Sequence, residues 1–100
     1  MDRLLEEVRS RLLPLGPVRV VAFGSRARGN ARPDSDLDLM VVLRESGSLG
    51  QRGALLGPPL RGLGVPLDLV IYTQEEYARL RHLRTSVAAI ADREGIVLHG

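Results

Sequence analysis

The chain reads as a mixed α/β (α+β) domain, a small mixed sheet of about three to four strands flanked by helices. Two observations predict it. Short apolar runs rich in β-branched residues lie at 18–23, 36–43 and 66–72, and apolar residues recur at helical spacing over 2–13 and from 73 onward. Glycine and proline mark most of the joins between these runs.

The elements follow in order. Residues 2–13 carry Leu4, Leu5, Val8 and Leu12 on one helical face, and Pro14, Gly16 and Pro17 end the run. Residues 18–23 form a strand bounded by Gly24. From Gly24 to about Arg28 a short helix is expected, and the composition of 30–35 predicts a loop. The clearest strand is 36–43. Leu37, Leu39, Val41 and Leu43 share a fully apolar face; Asp36, Asp38, Met40 and Val42 share the other, with the acids at one end. Residues 44–66 are broken by six glycines and Pro58, Pro59 and Pro66. They predict mainly loop, with a short helix at Ala54-Leu55-Leu56 that Pro58 stops. In 66–72, Leu67, Leu69 and Ile71 oppose Asp68, Val70 and Tyr72. Thr73 and Glu76 have capping-box spacing at the start of a helix. Leu80, Leu83, Val87 and Ile90 continue it, with a break near Thr85-Ser86, Gly95 as C-cap and Ile96-Val97-Leu98 as a short final strand.

Bulk properties bound the answer. One hundred residues predict a single domain over 1–100. No apolar run approaches the roughly 18 residues of a membrane span. The first residues mix acid and base, unlike a signal peptide. There is no cysteine, hence no disulfide framework or thiolate metal site, and a cytoplasmic location is the default. A net charge of +2 and three aromatics, Phe23, Tyr72 and Tyr77, give neither the basic stripe nor the stacking platform of a nucleic-acid binder. All 14 basic residues are arginine. A GC-rich genome accounts for that, although an arginine or two could serve bidentate phosphate contacts.

Two patterns carry chemistry. Gly24-Ser25-Arg26-Ala27-Arg28-Gly29 is a turn between strand and helix, rich in N–H donors and able to let phosphate approach the backbone. Arg26 or Arg28 can neutralise a polyphosphate. The run lacks both Gly-x-Gly-x-x-Gly and a Gly-Lys-Ser/Thr ending, which excludes a dinucleotide fingerprint and a P-loop. Asp36 and Asp38 lie two apart on a strand, so both point to one face about 7 Å apart, where they repel by about 2–3 kcal/mol at an effective dielectric near 20. A solvated strand edge would explain two such acids. A divalent cation would reverse the repulsion, and magnesium suits carboxylate and phosphate oxygens. Asp68, in the polar phase of another strand, would join them if the strands are neighbours. Three acids could hold two ions, or Asp68 could take a hydroxyl proton as general base. His82 and His99 read as surface and tail residues, Tyr72 and Tyr77 as packing residues.

Phe23-Gly24-Ser25-Arg26-Ala27-Arg28-Gly29, then Asp36-Leu37-Asp38-Leu39, then Leu67-Asp68-Leu69 closely resemble the polymerase-β nucleotidyltransferase superfamily. Within it the chain looks like the minimal nucleotidyltransferases, among them the antitoxins of HEPN/minimal-nucleotidyltransferase pairs. The resemblance covers about 18–72, and the Asp92–Leu98 ending is also similar. It implies the nucleotidyltransferase (polymerase-β palm-like) fold. It implies that Gly24 and Ser25 bind the β and γ phosphates, with Arg26 and Arg28 as further phosphate contacts. It implies that Asp36, Asp38 and Asp68 are catalytic and hold Mg²⁺, with a two-ion site and ATP or another NTP as substrate. The implied activity is that of a protein adenylyltransferase, moving AMP from ATP to a hydroxyl of a HEPN-type helical ribonuclease and silencing it. The alternative is a nucleotide- or partner-binding subunit that neutralises by contact alone; a small-molecule modifier fits less well. No membrane or direct nucleic-acid partner is expected, and a homo-oligomer is left open. The Gly/Pro-rich 44–66 departs from the clean helix of related chains. Leu55, Leu56 and Leu60 there would serve either as a docking face or as core.

Overall fold

The computed structural model describes residues 2–44 and 49–100. In chain order the elements are α1 (Arg3–Leu12), β1 (Arg19–Phe23), α2 (Ser25–Arg28), β2 (Leu37–Leu43), α3 (Leu49–Leu56), β3 (Leu67–Thr73), α4 (Gln74–Leu80), α5 (Val87–Glu94) and β4 (Ile96–His99). Short 3-10 turns lie at Leu13–Leu15 and Pro58–Leu60.

β2 is apolar on both faces apart from Asp38, so it belongs inside a sheet covered on both sides. Every residue of β2 except Asp38 is buried. The sheet has four strands in the order β3-β2-β1-β4. β1 runs antiparallel to both β2 and β4, and β3 runs parallel to β2. A parallel pair needs a long crossover, and the stretch containing α3 supplies it.

Two apolar layers follow from the alternation. On one face Val20, Ala22, Leu37, Leu39, Val41 and Leu43 pack against Leu5, Val8 and Leu12 of α1 and against Leu56 and Leu60. On the other, Val21, Met40 and Val42 pack against Tyr77 of α4 and Ala88 and Ala91 of α5. Asp38 shares the phase of Met40 and Val42, and Asp68 that of Val70 and Tyr72. Both acids therefore belong to the second face. Leu56 and Leu60 are core, at 0% and 4% exposure, which leaves Leu55 alone of those three exposed, at 46%.

The 44–66 segment is more helical than its composition predicts, with α3 running from Leu49 to Leu56 despite Gly50 and Gly53. Tertiary bonds outweigh the weak propensity. Arg52 donates to the Ile71 carbonyl of β3 at 3.2 Å and to Glu76 at 2.7 Å, which ties α3 to the sheet and to α4. Residues 45–48 of that segment lie outside the described residues.

Thr73 and Glu76 form the expected capping box. The helical run breaks after Leu80 and restarts at Val87, where Ser86 caps α5 by accepting from the Ala89 N–H at 3.1 Å. Gly95 closes α5 with extended rather than left-handed backbone, φ −86°. Glycine is needed there for space, because a Cβ would run into the Val21 side chain on β1.

Between β1 and β4 the register shifts, with Val20 opposite His99 but Val21 opposite Val97. Leu98 is the extra residue of a bulge, and a bulge leaves backbone groups outside the ladder. Arg9 of α1 reaches over and donates to the Leu98 carbonyl at 3.1 Å.

Candidate active site

β1 delivers the chain to the site. Its last residue, Phe23, lies directly across from Asp38 of β2. Gly24 then turns out of the strand at φ 74°, ψ −154°, a region essentially closed to residues with a Cβ. Space gives a second reason for glycine: a Cβ here would run into Oδ2 of Asp38. The carboxylate thus lies against the bare backbone of the turn. Ser25 opens α2 at this point, and the first amides of a helix have no partner within it.

β3 delivers the second acid. The parallel pairing places Asp38 opposite Asp68 in register, so the two carboxylates leave adjacent strands, about 4.8 Å apart, on the same face. The Asp68 carboxylate is close enough for its charge to act on Asp38. Asp38 is accordingly held above the usual carboxylate range, first by burial, then by the charges of Asp68 and Asp36. Arg28 acts in the opposite direction and favours the ionised form.

Asp36 differs from the other two acids. It precedes β2, is exposed, and has no partner in the ladder. On its C-terminal side the Leu37 N–H donates to the Pro66 carbonyl at 2.8 Å. On its N-terminal side residues 32–35 form a closed turn: the Ser35 N–H donates to the Arg32 carbonyl at 3.0 Å, and the Arg32 N–H to Ser35 Oγ at 2.7 Å. Arg26 holds this turn. Its guanidinium donates to the Ser35 carbonyl through Nε at 3.2 Å and Nη2 at 2.8 Å, and to the Pro33 carbonyl at 3.2 Å.

The structure thus gathers Gly24, Ser25, Asp38 and Asp68 at one end of the second sheet face, with Asp36 and Arg28 in electrostatic reach of Asp38. The two arginines of the turn separate: Arg28 acts on Asp38, whereas Arg26 is engaged with the loop. Among the described residues, no three His, Cys, Asp or Glu side chains come together closely enough to hold a metal ion. The donor set at Asp38 and Asp68 is nonetheless of the right kind for a hard cation: paired carboxylate oxygens, one pressed against an open turn. His82 lies between α4 and α5, and His99 pairs with Val20 in the sheet. Phe23 heads the turn motif in sequence, but the motif gives it no place relative to the acids. Its place opposite Asp38 follows only once β1 and β2 are known to pair antiparallel.

The family model for the nucleotidyltransferase domain matches residues 1–88. The chain belongs to that family. This nucleotidyltransferase is thereby a transferase acting on a nucleoside triphosphate. No curated protein gives a significant match. Solved structures do. One provisionally described as a minimal nucleotidyltransferase is 38% identical, with a TM-score of 0.61 over 92% of this chain and 86% of that one. A Sulfolobus solfataricus protein provisionally described as a nucleotidyltransferase gives a TM-score of 0.64 at 20% identity, over 95% and 78% of the two chains. A toxin–antitoxin structure with AMP-PNP gives 0.70 at 21% identity, over 96% and 73%. The last two show the shared fold, a mixed sheet flanked by helices.

Proposed function

We propose that this nucleotidyltransferase moves AMP from ATP, with Mg²⁺, to a hydroxyl of a protein partner, and that it acts as the antitoxin of a HEPN-type helical ribonuclease. The observation that carries the reading is the position of Asp38, against the bare Gly24 turn and in register with Asp68. A triphosphate seated on the turn would meet the carboxylates at that point. The toxin–antitoxin neighbour with AMP-PNP supports a toxin as partner and an adenine nucleotide as substrate.

The roles follow from the chemistry of each group. The Gly24 and Ser25 amides and the Ser25 hydroxyl donate to the β and γ phosphates, and Arg28 offsets their charge. Asp36 and Asp38, with Asp68, are the carboxylates that would hold magnesium. When bound, it would neutralise the triphosphate and lower the pKa of the attacking hydroxyl. Asp68 accepts the hydroxyl proton as general base. The hydroxyl oxygen bonds to the α phosphorus, the bond to the bridging oxygen breaks, and pyrophosphate leaves with that electron pair.

Incubation with α-labelled ATP, Mg²⁺ and the co-purifying partner tests this. Label is expected on the partner with the wild type and lost about 100-fold or more with Asp38→Asn or Asp68→Asn, the scale of a missing acid–base group. Nucleotide binding without label, in wild type and variants alike, would leave neutralisation by contact and sink the catalytic reading.

A further inference from the structure

We propose that Arg26 is a positioning residue for Asp36, not a contact to the triphosphate. The three acids are not held alike. Asp38 and Asp68 sit in the β2–β3 ladder, in register. Asp36 sits outside it, exposed, and depends on what fixes the peptide groups on either side. Downstream that is the Leu37–Pro66 hydrogen bond. Upstream it is Arg26, because the carbonyl that accepts from both Nε and Nη2 is that of Ser35. This carbonyl belongs to the peptide bond joining Ser35 to Asp36. The guanidinium therefore sets the plane from which Asp36 departs.

The same fork also holds the Pro33 carbonyl, so α2 and the closed 32–35 turn move together. Arg26 is the second residue of α2, directly after Ser25. One side chain thus links the start of the phosphate turn to the backbone of an acid ten residues on. The link depends on a planar fork presenting parallel N–H groups, which a lysine ammonium cannot reproduce. A phosphate contact would depend mainly on charge, which lysine keeps.

That difference makes the proposal testable with Arg26→Ala and Arg26→Lys. The first readout is hydrogen exchange at the Ser35 and Leu37 amides, which flank Asp36 and needs no catalysis. Both variants are expected to exchange about tenfold or more faster at these two amides, while Val21 and Met40 in the sheet stay protected. The second readout, which rests on the nucleotidyltransferase reading, is a Mn²⁺ titration with a non-hydrolysable ATP analogue. Both variants are expected to bind Mn²⁺ about 10- to 100-fold more weakly, the usual effect of losing a group that orients a ligand. Binding of the analogue without metal should stay within about threefold of wild type. If Arg26→Lys behaves as wild type, or if metal-free nucleotide binding falls while Ser35 and Leu37 keep their protection, Arg26 is a phosphate contact and the proposal fails. Loss of protection throughout the sheet in both variants would make Arg26 a residue of the fold and overturn it equally. Absence of Mn²⁺ binding in the wild type would count against the reading of the site, and the exchange result would still decide the role of Arg26.

Discussion

Asp38 is the one residue of β2 that is not buried, and the fold holds it at a cost. Burial together with Asp68 and Asp36 raises its pKa. A carboxyl whose pKa is higher folded than unfolded binds more protons in the folded state, so stability falls as pH rises from its ordinary value through the folded one. Above that window the ionised Asp38 weakens the metal-free fold. Asp38→Asn should therefore melt higher than wild type near neutral pH without divalent cations, and the difference should vanish in acid. A cation with nucleotide should raise the melting temperature of the wild type but not of the variant. Equal melting curves at neutral pH would mean that the repulsion is relieved by other groups. On the proposed function, Asp38 would trade stability for activity, as active-site residues often do.

At the scale of elements, α4 shows how much depends on a few polar atoms. The Thr73 N–H donates to Glu76 at 2.9 Å, and the Glu76 N–H to Thr73 Oγ1 at 3.1 Å. The first of these bonds, with help from Arg52, holds the Glu76 carboxyl below the usual range. A lowered carboxylate pKa adds stability above the unfolded value, and that stability is lost as pH falls through the folded one. Thr73→Ala should cost about 1 kcal/mol, the usual value of an N-cap. Glu76→Gln should flatten the acid limb of the stability–pH profile, as read by denaturant melts from neutral to acid pH. An unchanged limb would show that Glu76 is not a source of acid sensitivity.

The elements also show what was legible. The strands and the face shared by Asp38 and Asp68 follow from a period of two, which needs only sequence. The capping box and the break before α5 follow from local side-chain chemistry. Of α3 only the end at Ala54-Leu55-Leu56 does, because its glycines depress helix propensity and its anchor, Arg52, reaches Ile71 and Glu76 across the fold. Two features of the site were hidden for the same reason. The pattern places Asp36 on a strand with Asp38, but the ladder starts at Leu37, since only from there does β3 supply partners. The carbonyls that Arg26 holds depend on how 30–35 folds back, which no spacing reveals.

Across the whole molecule, arginine does structural work. Arg11 donates to the Pro59 and Arg61 carbonyls, and Arg19 to Asp92 and to the Gly100 carbonyl. With Arg9 and Arg52 these guanidiniums join segments far apart in a chain that has no cysteine. Composition attributed the absence of lysine to the genome. The structure gives several of the arginines a task that needs a fork. Replacing Arg9, Arg11, Arg19 and Arg52 together by lysine keeps the net charge of +2. It should still lower stability, by about 0.5–1.5 kcal/mol for each bond not remade. At about 4–8 °C per kcal/mol for a domain of this size, thermal melts at fixed ionic strength would resolve the loss. An unaltered melting temperature would show that charge alone suffices.

The bulge at Leu98 then has a consequence for how the molecule opens. Its carbonyl is held by a side chain 89 positions earlier, so the last strand and the first helix are partners. A short strand at the edge of a sheet would ordinarily fray by itself, at little free energy. Here β4 cannot peel from β1 without giving up the hold of α1, and the two are expected to open as one cooperative unit. Damage to either end of the fold would then be felt first at the other.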